Sequence, residues 1–496
     1  MSNRRNFLQS TLGLGASLFA GTRVFAQSMG AGDRGASSSG GSLVNQGRRG
    51  HSAFGFNMPV VTTDIGDLPY TMDGNTKVFR LIAEVVKQQI IPFKTLDLWG
   101  FNGSSPGPTI QVNQGDRVRV VFENHLPEST SLHWHGFEDM IQSDGMPGIS
   151  QAPVKPGGRF VYEFDIHQEG TYFYHSHMAM QEMTGMLGGF IMHPKEPYRP
   201  HCDKDFLIHL QEYAVLPNNT VPNTMSMEYN WLLLNGKAGP ATTPLVVRLG
   251  DRVRIRFVNL GMDHHPMHMH GHTFYTTGTE GGRIPESAWW PGNTVLVGVA
   301  QARAVEFVAN NPGDWMIHCH LPHHMMNQMS SNVGRMTRSV EMPAGGDMNT
   351  GMGMLQGNAG APLGEGYGPT LGRGLGGVGN TSDEATANGP LSRQKAMSTM
   401  PGMQHDMGNM QIDIAANAND VPNFPQDAYM ESPRMAMDEA VDRPENYGLA
   451  RGWSGYMQGM MTFVRVLPAE KYDEVITRMK QANRPNDPYA AILNHA

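Results

Sequence analysis

TIQVNQGDRVRVVFEN (residues 109–124) and PLVVRLGDRVRIRFVN (residues 244–259) are two versions of one pattern. Each alternates apolar and polar residues at period two around a shared Gly-Asp, which reads as strand, turn, strand. At the same offset of 135 residues, His133-Trp134-His135-Gly136 falls on His268-Met269-His270-Gly271. At an offset of 143, GTYFYHSH, ending at His177, falls on GDWMIHCH, ending at His320, and a few inserted residues between strands explain the change. Self-similarity through several motifs marks a duplicated unit, and each copy has the size of a β-sandwich. The fold class expected is all-β, with two sandwiches in tandem.

Composition agrees with that plan. Of 496 residues, 39% are hydrophobic and 17% charged, enough for real cores, and 59 glycines with 33 prolines favour turn-rich β structure over a helical bundle. A net charge of −8 without a basic stripe excludes a nucleic-acid binder. Residues 1–26 read as a twin-arginine-type signal peptide, with Arg4-Arg5, an apolar stretch from Leu8 to Ala20 and a small-residue exit near Ala26. That implies a periplasmic or otherwise exported protein, and no later run reaches the ~18 apolar residues of a membrane span. Residues 27–53 read as a flexible segment, 54–197 as the first sandwich and 198–342 as the second. Residues 343–426 are a Gly/Met-rich linker without hydrophobic period, expected to be disordered. Residues 427–496 are expected to form a small helical region, where Pro468 opens a helix carrying Tyr472, Val475, Ile476 and Met479 on one face.

Histidine and methionine are abundant, 21 and 37, whereas only Cys202 and Cys319 offer thiols. Residues i and i+2 of a strand project to one face, so His133/His135, His175/His177, His268/His270 and His318/His320 each aim two imidazoles at one place. Cys319, between the last pair, points the opposite way, so one strand touches two sites. The residues that could join it are His265, His324 and Met329, although the neighbours His264 and His323 leave one-residue ambiguities. Two imidazoles, a thiolate and a weak thioether describe a blue-copper electron-transfer site, since zinc prefers four strong ligands. Cys202 is left as an unpaired bystander.

The motifs HWHG, HSH, HPMHMHGH and HCHLPHHMMNQM resemble, in order, the four copper signatures of the multicopper oxidases. The resemblance implies cupredoxin-like Greek-key sandwiches and four coppers per subunit. It implies a type 1 copper on His265, Cys319, His324 and Met329, leaving His264 and His323 outside the ligand set. It implies a type 2 copper on His133 and His268, and two type 3 coppers, one on His135, His175 and His320, the other on His177, His270 and His318. Where the second sandwich has His265, Cys319 and His324 the first has Thr130, Ser176 and Gln181, retaining only Met186, so the type 1 site belongs to the second. That arrangement departs from copper nitrite reductases, and no middle domain of three-domain laccases is present. In two-domain relatives the three-copper cluster forms between subunits, which implies a homotrimer.

The activity implied is laccase-like or cuprous oxidase chemistry. A donor gives single electrons at the type 1 copper, they pass through Cys319, and dioxygen is reduced to water. Protons must also arrive, and Asp144, in SDGMPG, resembles the family's acidic residue beside the cluster, although an aspartate before glycine equally suits a turn. Methionines at 178, 180, 183, 186, 325 and 326 favour cuprous ion as donor over a phenol alone, although methionine also fills gaps in cores, and another metal ion such as manganese is a third candidate donor. The alternative is an exported copper-sequestering protein with little turnover.

Overall fold

The computed structural model describes residues 58–325, apart from residues 93, 140, 179, 216–218, 225, 226 and 228, together with residues 437–482, 484, 489 and 493. The expected signal peptide, the Gly/Met-rich linker and Met329 lie outside the described residues. Within them the chain is almost wholly β, arranged as two cupredoxin-like sandwiches, with one α-helix, Ala469–Ala482. The helix turns Tyr472, Val475, Ile476 and Met479 inward, the face expected from their spacing.

Each sandwich has a polar-faced outer sheet and an inner sheet that carries the histidines. In the first, the repeat strand Arg117–Asn124 runs parallel to Thr76–Ile91 and antiparallel to Arg159–Asp165. Its inner sheet orders Gly107–Asn113, Leu187–His193, Gly170–Ser176 and Leu132–His135. In the second, Arg252–Asn259 runs parallel to Lys204–Tyr213 and antiparallel to Gln301–Val308. The repeat ends on the same device in both copies. Asn124 and Asn259 each donate from Nδ2 to two main-chain carbonyls, one in the loop that follows (Glu128, Asp263) and one farther along the chain (Val154, Val297), and each accepts from the N–H two residues on. These buried amides fix where the chain re-enters the inner sheet.

The second inner sheet orders Leu245–Arg248, Met461–Leu467, Gly313–Cys319, His265–Met269 and Thr294–Val297. Its second strand comes from the far end of the chain. The segment expected to be helical, beyond the boundary drawn at 342, therefore supplies a central strand of the second sandwich. Met461–Leu467 lies parallel to Leu245–Arg248 and antiparallel to Gly313–Cys319, the same pairings that Leu187–His193 makes in the first sandwich. Its alternate residues explain the choice. Val464 and Val466 are fully buried in the cluster that holds Cys319, Met267, Met460 and the helix residues Val475 and Met479. Arg443, which bonds Asp64, Thr243 and the Ala241 carbonyl, clamps the same returning segment.

The sandwiches meet over Phe173, Leu187, Ile191, Leu207, Val258 and Leu260, a small apolar cluster drawn from both. Beside it Arg256 bridges Asp205 and the Thr171 hydroxyl of the other sandwich. Among the described residues both cysteines are unpaired and buried. No described helix is long and apolar enough to cross a membrane.

A chain ending at residue 436 is expected to lose cooperative unfolding of the second sandwich while the first keeps its own, because two strands would face an empty slot. Calorimetry of the truncated and full chains checks this.

Candidate metal centre

Register decides which side chains share a face. Met267 stands opposite Cys319 and His268 opposite His318, so the sulfur points into the sandwich and the two rings point out of it. His265 opens one strand, Cys319 closes its neighbour, and His324 sits in the short 3₁₀ turn Pro322–Met325. All three are fully buried. Cys319 Sγ lies 3.5 Å from His324 Nδ1 and 3.8 Å from His265 Nδ1, and the two nitrogens are 3.2 Å apart.

The first sandwich shows what those three positions do without a metal. Thr130, Ser176 and Gln181 close on themselves, with the Ser176 hydroxyl donating to Gln181 Oε1 at 2.7 Å and lying 3.3 Å from the Thr130 hydroxyl. His265, Cys319 and His324 instead turn two nitrogens and a sulfur toward one point. That donor set suits a cuprous or cupric ion. His265 Nε2 donates to the Glu212 carboxylate at 3.0 Å, leaving the Nδ1 lone pair for the shared point. Burial pushes the Cys319 thiol up to about 12.

Met329, expected to complete this group, lies outside the described residues, and Met460 occupies the place that the duplication assigns. The Ser176 N–H donates to the Met186 carbonyl at 3.0 Å, and the Cys319 N–H donates to the Met460 carbonyl at 3.0 Å. The Met186 N–H meets the Gln181 carbonyl, as the Met460 N–H meets that of His324. Both methionine side chains are fully buried. Gly459-Met460-Met461 repeats Gly185-Met186-Leu187, a signal readable only by seeking the missing last strand far downstream.

The remaining histidines form two groups. His133, His135 and His175 bring ring nitrogens within 4.8 Å of one another, and so do His268, His270 and His318. His177 joins the first by ring contacts with His133 and His175, and His320 joins the second by contacts with His268 and His318. Among the described residues no ring contact links one group to the other. His177 and His320 are exposed, and an open cleft lined by His268, His270, Asn293 and Trp315 adjoins the second group.

Four of these rings are fixed by the main chain. Nδ1–H of His133 donates to the Asp144 carbonyl (2.7 Å), of His175 to Ser176 (2.9 Å), of His268 to Asn293 (2.8 Å) and of His318 to Cys319 (2.8 Å). A carbonyl can only accept, so each Nε2 keeps its lone pair. Burial, reinforced by neighbouring rings, pushes His135 down to about 4, and burial with weaker ring repulsion takes His175 to about 3. Burial lowers His270 and His318 as well. Neutral imidazoles result, as metal ligation needs. Asp144 meets His133 chiefly through its carbonyl, its carboxylate being 3.5 Å from the ring. Gly145 makes that approach possible, since at φ +81° it sits where a Cβ would overlap the Leu132 carbonyl. Sequence reasoning missed Glu212 and also Glu182, whose carboxylate lies 3.3 Å from His175 Nδ1 and which burial raises to about 7.

Multicopper oxidase family models match residues 84–197 and 214–337, the second ending well short of the strand Met461–Leu467. Laccase-1 of Cryptococcus neoformans var. neoformans serotype D is 31% identical over 209 residues, 34% of each chain. Copper resistance protein A of Pseudomonas syringae pv. tomato is 40% identical over 113 residues, 23% of this chain and 19% of that protein. The chain thus spans about a third or less of the length of these curated relatives. Among solved structures, Blue Copper Oxidase from Nitrosomonas europaea matches at 30% identity over 50% of this chain and 80% of that one, with a TM-score of 0.47.

Because the thiol is held protonated by burial, filling the site of His265, Cys319 and His324 should release one proton per ion, and affinity should weaken about tenfold for each pH unit lowered. Calorimetric copper titrations in buffers of differing ionisation enthalpy measure that proton.

Proposed function

The chain belongs to the multicopper oxidase family, and on that premise we propose that it couples one-electron oxidation of a small donor to reduction of dioxygen to water. The observation that carries the reading is the strand Gly313–Cys319 with His320 after it, whose sulfur faces one ligand group while its two flanking imidazoles belong to another. Bound copper would supply a one-electron acceptor at the buried mononuclear site and the electron store for dioxygen at a three-metal site. His265, Cys319 and His324 hold the first, with Met460 in place of Met329 as the weak fourth ligand. His133 and His268 hold the type 2 ion. His135, His175 and His320 hold one type 3 ion, and His177, His270 and His318 the other. The Cys319 main chain is then the covalent path between sites, and Asp144 remains the proposed proton donor.

A complete three-metal set needs both histidine groups, and each presents one exposed imidazole, His177 in the first and His320 in the second. That supports a homotrimer in which the first group of one subunit meets the second group of the next. For the donor, Asp263 places a carboxylate oxygen 3.5 Å from His324 Nε2, and the exposed Met262 adjoins it. A thioether beside a carboxylate suits a cuprous ion better than a phenol, and the likeness to a copper resistance protein supports the same choice. Sequestration without turnover is the second reading, favoured by that same likeness. Export by the twin-arginine-type leader completes the proposal.

Cys319→Ser should abolish the blue absorption and oxygen uptake with either donor while leaving cluster copper measurable. Persistent turnover would sink the electron route. Met460→Leu should retain the band and shift it, whereas an unaltered spectrum returns the fourth ligand to Met329. Native mass spectrometry of the copper-loaded wild type should give a trimer, and a monomer holding four coppers would exclude assembly between subunits. Oxygen uptake with neither Cu(I) nor a phenol would leave sequestration.

A further inference from the structure

The duplicated fold contains its own control for the mononuclear site, and one difference between the copies concerns a residue outside the ligand set. Ala83 pairs with Asn124 in the first sandwich and Leu210 pairs with Asn259 in the second, so two residues further on Val85 and Glu212 are equivalent. Val85 is 54% exposed. Glu212 is buried, its side chain sealed from solvent, with Oε2 3.0 Å from His265 Nε2. A second difference makes room for it. Leu126 and Gly261 are equivalent, each donating its N–H at 2.9 Å to Oδ1 of the asparagine two residues earlier. Leu126 is a buried side chain, whereas a Cβ on Gly261 would overlap both oxygens of Glu212. The main-chain N–H groups of Met262 and Asp263 then donate to Oε1, at 2.9 Å from Asp263.

Val85 with Leu126 has thus become Glu212 with Gly261 in the sandwich where Thr130, Ser176 and Gln181 have become His265, Cys319 and His324. A fold requirement would have kept the carboxylate in both copies. Burying a carboxylate is costly unless it is bonded, and here two main-chain donors and one imidazole bond it.

We propose that Glu212 is a positioning residue of the mononuclear site. It holds the proton of His265 on Nε2 and the Nδ1 lone pair toward Cys319 and His324. Its buried negative charge favours the cupric over the cuprous state and so lowers the reduction potential. The proposal rests on the copper reading above. It assigns to this residue a tuning role rather than contact with the donor, from which burial separates it.

The test uses full-length copper-loaded protein, comparing wild type with Glu212→Gln, which keeps the shape and an acceptor but loses the charge. A mediated spectroelectrochemical titration should find the variant easier to reduce by at least tenfold in equilibrium constant, which is 59 mV for one electron. Its thiolate-to-copper band should remain. Gly261→Ala, which displaces the carboxylate without deleting it, should move the potential the same way. A potential within twofold of wild type in Glu212→Gln, with the band intact, overturns the role of Glu212. Absence of the band in the wild type overturns the copper reading instead. Should the variants fail to fold, pulsed EPR of the wild type decides. Two unequal remote imidazole nitrogens, one marked by a strong hydrogen bond to an anion, support the proposal, and equivalent nitrogens overturn it.

Discussion

A β-strand presents neighbouring side chains to opposite faces, and the rest of this molecule is arranged around one strand that uses both. Gly313–Cys319 is held between His265–Met269 on one side and Met461–Leu467 on the other, so its register cannot slip without turning Cys319 out and His318 in. The paired neighbours are themselves anchored, one through the Asn259 amide and the other by burial of Val464 and Val466. Precision at the sulfur is therefore a property of the sheet, not of the loop that follows it.

Duplication let the two sandwiches divide their tasks. Both retain the imidazole pairs and the carbonyl contacts that fix ring tautomers. Only the second replaced a hydrogen-bonded trio of Thr130, Ser176 and Gln181 with two imidazoles and a thiol, and it put the buried Glu212 carboxylate behind one imidazole of that new trio. Polar side chains that satisfy one another stabilise a core, whereas lone pairs converging without donors are a cost the fold bears for a ligand.

Much of this was legible in the sequence because period-two patterning and a repeat are local signals. The paired histidines, the Cys319 strand and the helix face of Tyr472, Val475, Ile476 and Met479 all follow from spacing of a few residues. Pairing between distant segments leaves no such trace. Thr242, beside one inner strand, bonds the Met461 carbonyl across 219 residues. Counting forward from His324 leads to Met329, whereas Met460, whose carbonyl accepts from the Cys319 N–H, comes into view only once the late strand is placed. Glu212 was hidden for a related reason, since its meaning depends on Gly261, a residue that nothing nearby distinguishes. Asp144 was noticed for its carboxylate, yet its nearest contact with His133 is through the main chain, which composition cannot reveal.

The late strand also sets an order of events during synthesis. Ribosomes emit about 5–20 residues per second, and sandwich-forming contacts between remote segments form slowly. The first sandwich contains all its strands before residue 197 and can close while translation continues. The second has to wait, with Leu245–Arg248 and Gly313–Cys319 unjoined, until the distant Met461–Leu467 has been made. Every nascent chain therefore passes through an interval in which the cysteine lies along an unpaired sheet edge, and chaperone protection of that interval is what the topology demands of its host.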